Sequence, residues 1–298
     1  MQKTISLFLF LLISLQSWST GQKEDPATTT VFTDSYERQV NIPTEINRIV
    51  SLAPSITEII YALGSQDKLK GRTDYCDYPE DALRIPSMGS LRNPSMESII
   101  QAQPDLVIAS THFQKDTLKA LEDLNIPILI LKGEDSIEGT YWVIRQIGTL
   151  LHKQEKSEQI ITQMKKTIDQ AAGRINNSYK PKVYYVVAYG QQGDFTAGGN
   201  TFIGQLIQEA GGINIAQDLD GWAYSFEKIV EQDPDIIICS QYYNVKEGLS
   251  NTEGYKDLRA IKEGRIYTID SNILDRQGPR LAQAFVDLVT IIHPESFE

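Results

Sequence analysis

Cysteine is scarce in this chain. Cys76 and Cys239 are the only two among 298 residues, too few for a disulfide-stapled scaffold and without the paired spacing of a structural zinc site. Cys239 lies in an apolar strand-like run and reads as a plain buried thiol. Histidine is equally thin. His112, His152 and His293 are scattered, whereas a metal centre needs three or four converging ligands; His152 and His293 read as surface residues. Positive charge is in deficit, with 28 Lys+Arg against 39 Asp+Glu and a net charge of −11, which excludes a basic nucleic-acid-binding surface. GxGxxG, Walker, GxSxG and HExxH motifs are all missing. Catalysis has no recognisable machinery here, so the chain is read as a non-enzyme without metal or cofactor.

What is present starts with "MQKTISLFLFLLISLQSWST". Lys3 precedes an apolar run from Ile5 to Leu15, which is too short to span a bilayer and suits the central region of a secretory signal. Cleavage is expected after Ser19, followed by a polar tether over 20–30. Trp18 stands where an exported lipoprotein would place its Cys, so a lipid anchor is not supported. The expected location is the periplasm, reached through a signal peptide over 1–19.

Two stretches 130 residues apart then say nearly the same thing. "SMESIIQAQPDLVIAS" (95–110) and "SFEKIVEQDPDIIICS" (225–240) agree at Ser95/Ser225, Glu97/Glu227, Ile99/Ile229, Pro104/Pro234, Asp105/Asp235, Ile108/Ile238 and Ser110/Ser240. Each reads as a short helix followed by an apolar strand. Around them the order of elements also repeats: a strand, a helix ending in Gly, the helix–Pro-Asp–strand unit, then helix and strand. Alternating strands and helices predict parallel sheets covered on both faces. The segment between the halves lacks strand signals, and its second part reads as one amphipathic helix of about 25 residues. The predicted architecture is α/β, with two similar Rossmann-like lobes (31–137 and 179–298) joined by a long helix within 138–178.

Ligands of open α/β sheets bind at the carboxyl ends of strands, and two such lobes make a cleft between them. Loops at those ends supply Tyr75, Arg92, His112, Tyr189, Phe195, Trp222, Tyr224, Arg276 and Arg280. Tyr242 and Tyr243 are adjacent, and in extended backbone they would point to opposite sides. Ser55 and Glu58, spaced three apart ahead of an apolar helical run, read as a capping box. The aromatic character suits a large, flat, partly apolar ligand with a polar rim.

With "RIVSLAPSITEIIYALG", "DYCDYPEDA", "NPSMESIIQAQPDLVIAS", "FTAGGNTFIGQLIQEAGGINIA", "SFEKIVEQDPDIIICS" and "RQGPRLAQAFVDLVTIIHPESF", the chain resembles the class III, helical-backbone substrate-binding proteins of bacterial ABC importers for vitamin B12, ferric siderophores and haem. The match covers nearly everything beyond the signal segment. It implies a monomer that carries ligand to an ABC permease dimer and does no chemistry. It also implies that Glu97 and Glu227 dock to arginines on the two permease subunits. "DYCDYP" is most similar to cobalamin-binding members, in which a Tyr at the position of Tyr75 lies against the corrin. Where that form carries a Trp before the Glu97 helix, this chain has Leu91. The expected ligand is therefore a corrinoid, itself a cobalt complex. A ferric siderophore held by Arg92, Arg276 and Arg280, or haem ligated by His112, are the alternatives within the class. A tetrapyrrole chelatase-like enzyme and a surface adhesion module are the readings outside it.

Overall fold

A computed structural model describes residues 29–110, 114–175, 178–191 and 193–297. The signal segment, the start of the tether and His112 lie outside the described residues. An antiparallel hairpin of β1 (Thr29–Thr33) and β2 (Gln39–Pro43) precedes the first lobe. That lobe runs β3 (Ile49–Ser51), α1 (Pro54–Ala62), β4 (Leu69–Arg72), α2 (Met96–Ala102), β5 (Leu106–Ala109), α3 (Lys115–Asp123) and β6 (Ile128–Ile130). Next come α4 (Ile137–Leu150) and α5 (Gln154–Ala172).

The second lobe begins with β7 (Lys182–Val186), β8 (Asp194–Phe195), α6 (Phe202–Glu209) and β9 (Ile213–Asn214). It continues with β10 (Ala223–Tyr224), α7 (Phe226–Gln232), β11 (Ile236–Ser240) and α8 (Val245–Asn251). It closes with α9 (Arg259–Lys262), β12 (Ile266–Ile269), α10 (Ser271–Leu274) and α11 (Leu281–Ile292).

The lobes are the same object built twice. Their four-stranded sheets run in the orders β4-β3-β5-β6 and β9-β7-β11-β12, and every pairing in both is parallel. Numbered within its own lobe, each sheet is second–first–third–fourth. The repeated sequence sets matching local geometry. Ser95 and Ser225 cap their helices by accepting from the amides of Ser98 and Lys228. Gln103 and Asp233 end them in left-handed conformation, at φ 46° and 43°. Ile99 and Ile229 are fully buried. The Asp of each Pro-Asp pair ties the unit to the lobe's first strand. Asp105 accepts from the amides of Asn47 and Arg48 at 2.8 and 2.9 Å, and Asp235 accepts from the Lys182 amide at 2.8 Å. Arg48 and Lys182 in turn donate to the terminal carbonyls of α2 and α7, Ala102 and Gln232, where cationic groups are favoured by the helix dipole.

The connector carries the long helix expected of its second part, in a shorter form. It is two helices, α4 and a 19-residue α5, broken at 151–153, and α5 spans about 28 Å rather than 38. His152 turns the chain with a left-handed φ of 54°, while its Nε2 lies 3.1 Å from the Thr44 carbonyl. The pieces α4, α5 and α11 share one apolar core with both sheets. Ile108 and Leu129 of the first sheet and Val183 and Ile238 of the second belong to the same cluster as Ile144, Ile161, Ile168, Phe285 and Leu288. Two smaller clusters underlie the outer faces, one around Ile99 and Leu121, the other around Tyr184, Ile229 and Tyr255. The lobes are thus fused through packing as well as joined by chain.

Both thiols are free and buried, and burial pushes the Cys239 thiol up to about 11. His293, expected at the surface, is fully buried. It packs under Gly211, where a Cβ would stand 2.5 Å from its Nε2 and where φ is +85°, so only glycine fits that turn. No helix among the described residues is long and apolar enough to cross a membrane.

The Pro-Asp ties generate a stability prediction. Burial works against the charge of Asp235, but the Lys182 amide and the Arg259 guanidinium prevail and hold its carboxyl below the usual range. Its contribution is complete above the ordinary Asp value near ~3.9 and is lost as pH falls through the lower folded value. Asp105→Ala and Asp235→Ala should each cost about 1–3 kcal/mol in urea unfolding, because backbone donors lose their acceptor. Asp235→Ala should also flatten the acid limb of stability below about pH 4. Losses under about 0.5 kcal/mol in both variants would refute the structural reading of the repeat.

Candidate functional site: the seam between the lobes

The carboxyl ends of the two sheets meet, and polar side chains from both lobes close the seam. Glu58 on α1, with its side chain 2% exposed, is gripped from the other lobe by two arginines. Arg280 donates through Nε and Nη2 at 2.9 and 2.6 Å, and Arg276 donates through Nη1 at 2.9 Å. Arg276 also reaches Asp77 at 2.6 Å and the Tyr75 carbonyl at 3.1 Å. Arg280 lies 3.9 Å from the Tyr78 ring centroid, close enough for a cation–π contact. Asn272 adds a bond to Asp77 at 3.3 Å, and Gln277 reaches the Glu134 carbonyl at 2.8 Å.

The first-lobe side of the seam is the loop "TDYCDYP". Thr57 and Thr73 both lie 3.2 Å from the Cys76 sulfur, which is buried against α1, and burial raises the thiol's pKa. The Asp74 amide bonds the Gly89 carbonyl at 2.9 Å. With Cys76 pinned inward, its neighbours turn out: Tyr75 is 55% exposed while Asp77 points at Arg276.

The second-lobe side has two lips. One is the antiparallel pair β8–β10, which continues the end of β7 through the Ala188–Phe195 bridge. It carries half-buried Phe195 and Trp222, 44% exposed, and Thr196 donates to the Trp222 carbonyl at 2.8 Å. The other lip is the loop after β11. Tyr243 and Asn244 are both left-handed, with φ of 60° and 53°, so the backbone is not extended and the strict alternation expected of Tyr242 and Tyr243 does not apply. Their rings meet edge-on, 6.5 Å apart. Tyr242 donates to Asp270 at 2.9 Å, while Tyr243 stands 96% exposed.

Several expected site residues have other surroundings. Tyr189 packs edge-on against Tyr255 at 5.6 Å, and Tyr224 donates to the Ile215 carbonyl at 2.9 Å; both lean on the outer core of the second lobe. Arg92 lies exposed on the turn before α2, and no ion pair of the described residues includes it. Arg276 and Arg280 reach the seam, but their charge is already matched by Glu58 and Asp77. Ser55 and Glu58 form no capping box. The α1 cap is Ala53, without a side-chain bond, followed by Pro54. Sequence reasoning missed Tyr78 and Asn272 and read Glu58 as a helix cap. Of these only Glu58 left a signal, a carboxylate inside the apolar run Ile56, Ile59, Ile60.

Two matched lobes meeting at their strand ends, with exposed aromatics on each side, are the form of a two-lobed binding protein. The periplasmic binding protein family profile matches residues 49–273, and the chain belongs to that family. It is 31% identical over 272 residues to the uncharacterized ABC transporter substrate-binding lipoprotein YvrC of Bacillus subtilis, covering 89% of this chain and 86% of that one. It is 25% identical over 273 residues to a cobalamin-binding protein of Halobacterium salinarum, covering 87% and 73%. Among solved structures, the apo periplasmic haem-binding protein RhuT of Roseiflexus sp. RS-1 superposes with a TM-score of 0.77 at 29% identity, covering 85% of this chain and all of that one. The protein is therefore an extracytoplasmic, non-enzymatic substrate-binding component of an ABC transporter, and its partner is a permease.

The Glu58 clamp generates a second prediction. Removing one partner of a buried pair leaves uncompensated charge and costs about 3–5 kcal/mol. Glu58→Ala should lose that much in chemical denaturation, and Asp77→Ala, on the exposed edge of the network, about 1 kcal/mol or less. Equal small losses from both would show that Glu58 does not organise the seam.

Proposed function

We propose that the protein captures a corrinoid of the vitamin B12 type in the cleft between its lobes and delivers it to an ABC permease dimer. The observation that carries this reading is the presence on both sides of the seam of aromatic side chains open, wholly or in part, to solvent. Tyr75 comes from the first lobe, and Phe195 and Trp222 come from the second. A corrin is broad, largely apolar on its faces and ringed by amides, which such a cleft accommodates by stacking with polar contacts at the rim. The cobalamin-binding name of the Halobacterium relative supports the same assignment.

The haem-binding neighbour favours a second occupant, haem, and a ferric chelate is the third. Haem, through its propionates, and those ferric chelates that are anionic call for unmatched cations. At the seam Arg276 and Arg280 are already engaged by Glu58 and Asp77, so an anionic ligand would have to compete with the buried Glu58 carboxylate and with Asp77. A neutral or weakly charged corrinoid has no such requirement.

Delivery rests on Glu97 and Glu227. Both are exposed, at the same position of equivalent helices, and neither is part of an ion pair of the described residues. A two-fold permease presenting one basic site per subunit would meet both at once.

Calorimetric titration with cyanocobalamin, haem and a ferric hydroxamate in parallel tests the ligand. Cyanocobalamin should bind one-to-one and outcompete the other two, and Tyr75→Ala should weaken it by about 1–3 kcal/mol. Binding of haem or the hydroxamate alone would overturn the corrinoid assignment.

A further inference from the structure

The repeat carries more to the surface than its two carboxylates. α2 and α7 are fixed in the same rotation by the inward Ile99 and Ile229, by Ser caps at one end and by left-handed residues at the other. On a helix so held, the residue three positions after Glu97 or Glu227 shares its face. Those residues are Ile100 and Val230, again 130 apart, and they are 46% and 50% exposed. The flanking positions are polar: Ser98 and Gln101 on one helix, Lys228 and Glu231 on the other. A β-branched apolar side chain held in water at the same place on both lobes contributes nothing to either core and is not required for helix formation.

We propose that Ile100 and Val230 are the apolar anchors of the docking surface. Each seats in an apolar socket next to the cationic group that receives Glu97 or Glu227, on two identical subunits of a membrane-embedded dimer. This rests on the reading of the two glutamates as docking residues. The duplication argues for that occupant, since a carboxylate and an apolar side chain displayed twice in the same order fit a partner that shows one surface twice. The charges divide the work. The chain's net charge of −11 and the exposed glutamates steer encounter with a basic face, whereas desolvated apolar contact slows dissociation.

The test uses the full protein with the host cell's corrinoid permease–ATPase complex reconstituted in liposomes. The readout is the protein concentration that half-maximally stimulates ATP hydrolysis, with cyanocobalamin affinity as a check on the fold. Ile100→Ser with Val230→Ser should raise that concentration about tenfold or more, at low and high salt alike, and leave cyanocobalamin affinity unchanged. Ile100→Leu with Val230→Leu should restore stimulation to within about threefold of wild type. Glu97→Arg with Glu227→Arg should abolish stimulation at low salt. If the charge reversal abolishes stimulation while the Ser pair stays within about twofold of wild type, the anchors are refuted and docking through the glutamates stands. If neither pair alters stimulation, the docking reading fails and the anchors with it.

Discussion

One buried carboxylate sets the geometry of the seam. Glu58 projects from a helix of the first lobe, and among the described residues its ion pairs are all with Arg276 and Arg280 of the second. An ionised carboxylate deprived of both would be costly to keep away from water, and the arginines are correspondingly confined. Confinement propagates outward. Arg276 holds Asp77 and the Tyr75 carbonyl, and Arg280 lies over Tyr78. Cys76 pins the same loop from beneath. The exposed ring of Tyr75 is thus presented by a loop fixed from two lobes, the kind of preorganisation that spares a ligand part of the cost of ordering its site.

Duplication supplies the frame for that contact. Two sheets with the same strand order place equivalent ends toward each other, and the shared apolar core through the two connector helices and the C-terminal helix holds them there. Movement of one lobe against the other would have to deform that core and rearrange the Glu58 network together. A frame of this kind suits a carrier that takes up ligand with small adjustments of loops and presents a nearly constant pair of docking faces to its permease. The aromatic lips, by contrast, rest on short connections: a two-residue strand pair for Trp222 and two consecutive left-handed residues for Tyr243.

Much of this was legible in the sequence because it rests on local rules that occur twice. The Ser-x-Glu start, the inward Ile and the Pro-Asp stop each have a mechanism that acts within a few residues, and the structure uses all three in both lobes. Three features were not legible. The Ser55–Glu58 spacing fits a capping box as well as it fits a buried ion pair, and only the distant Arg276 and Arg280 decide between them. The connector breaks at His152, a left-handed residue that carries no glycine or proline to announce the turn. Tyr189 and Tyr224 are neighbours of seam loops in the sequence, but Tyr255 and the Ile215 carbonyl draw them toward the outer core. Long-range partners chose the outcome in all three.

The central claim, a ligand held at this seam, is tested most directly by hydrogen–deuterium exchange with and without cyanocobalamin. Protection should concentrate in the loops around residues 73–79, 193–196, 221–224 and 241–244, with the outer sheet faces unchanged. Protection confined to the α5 surface or spread evenly over both lobes would place the ligand elsewhere and contradict the account.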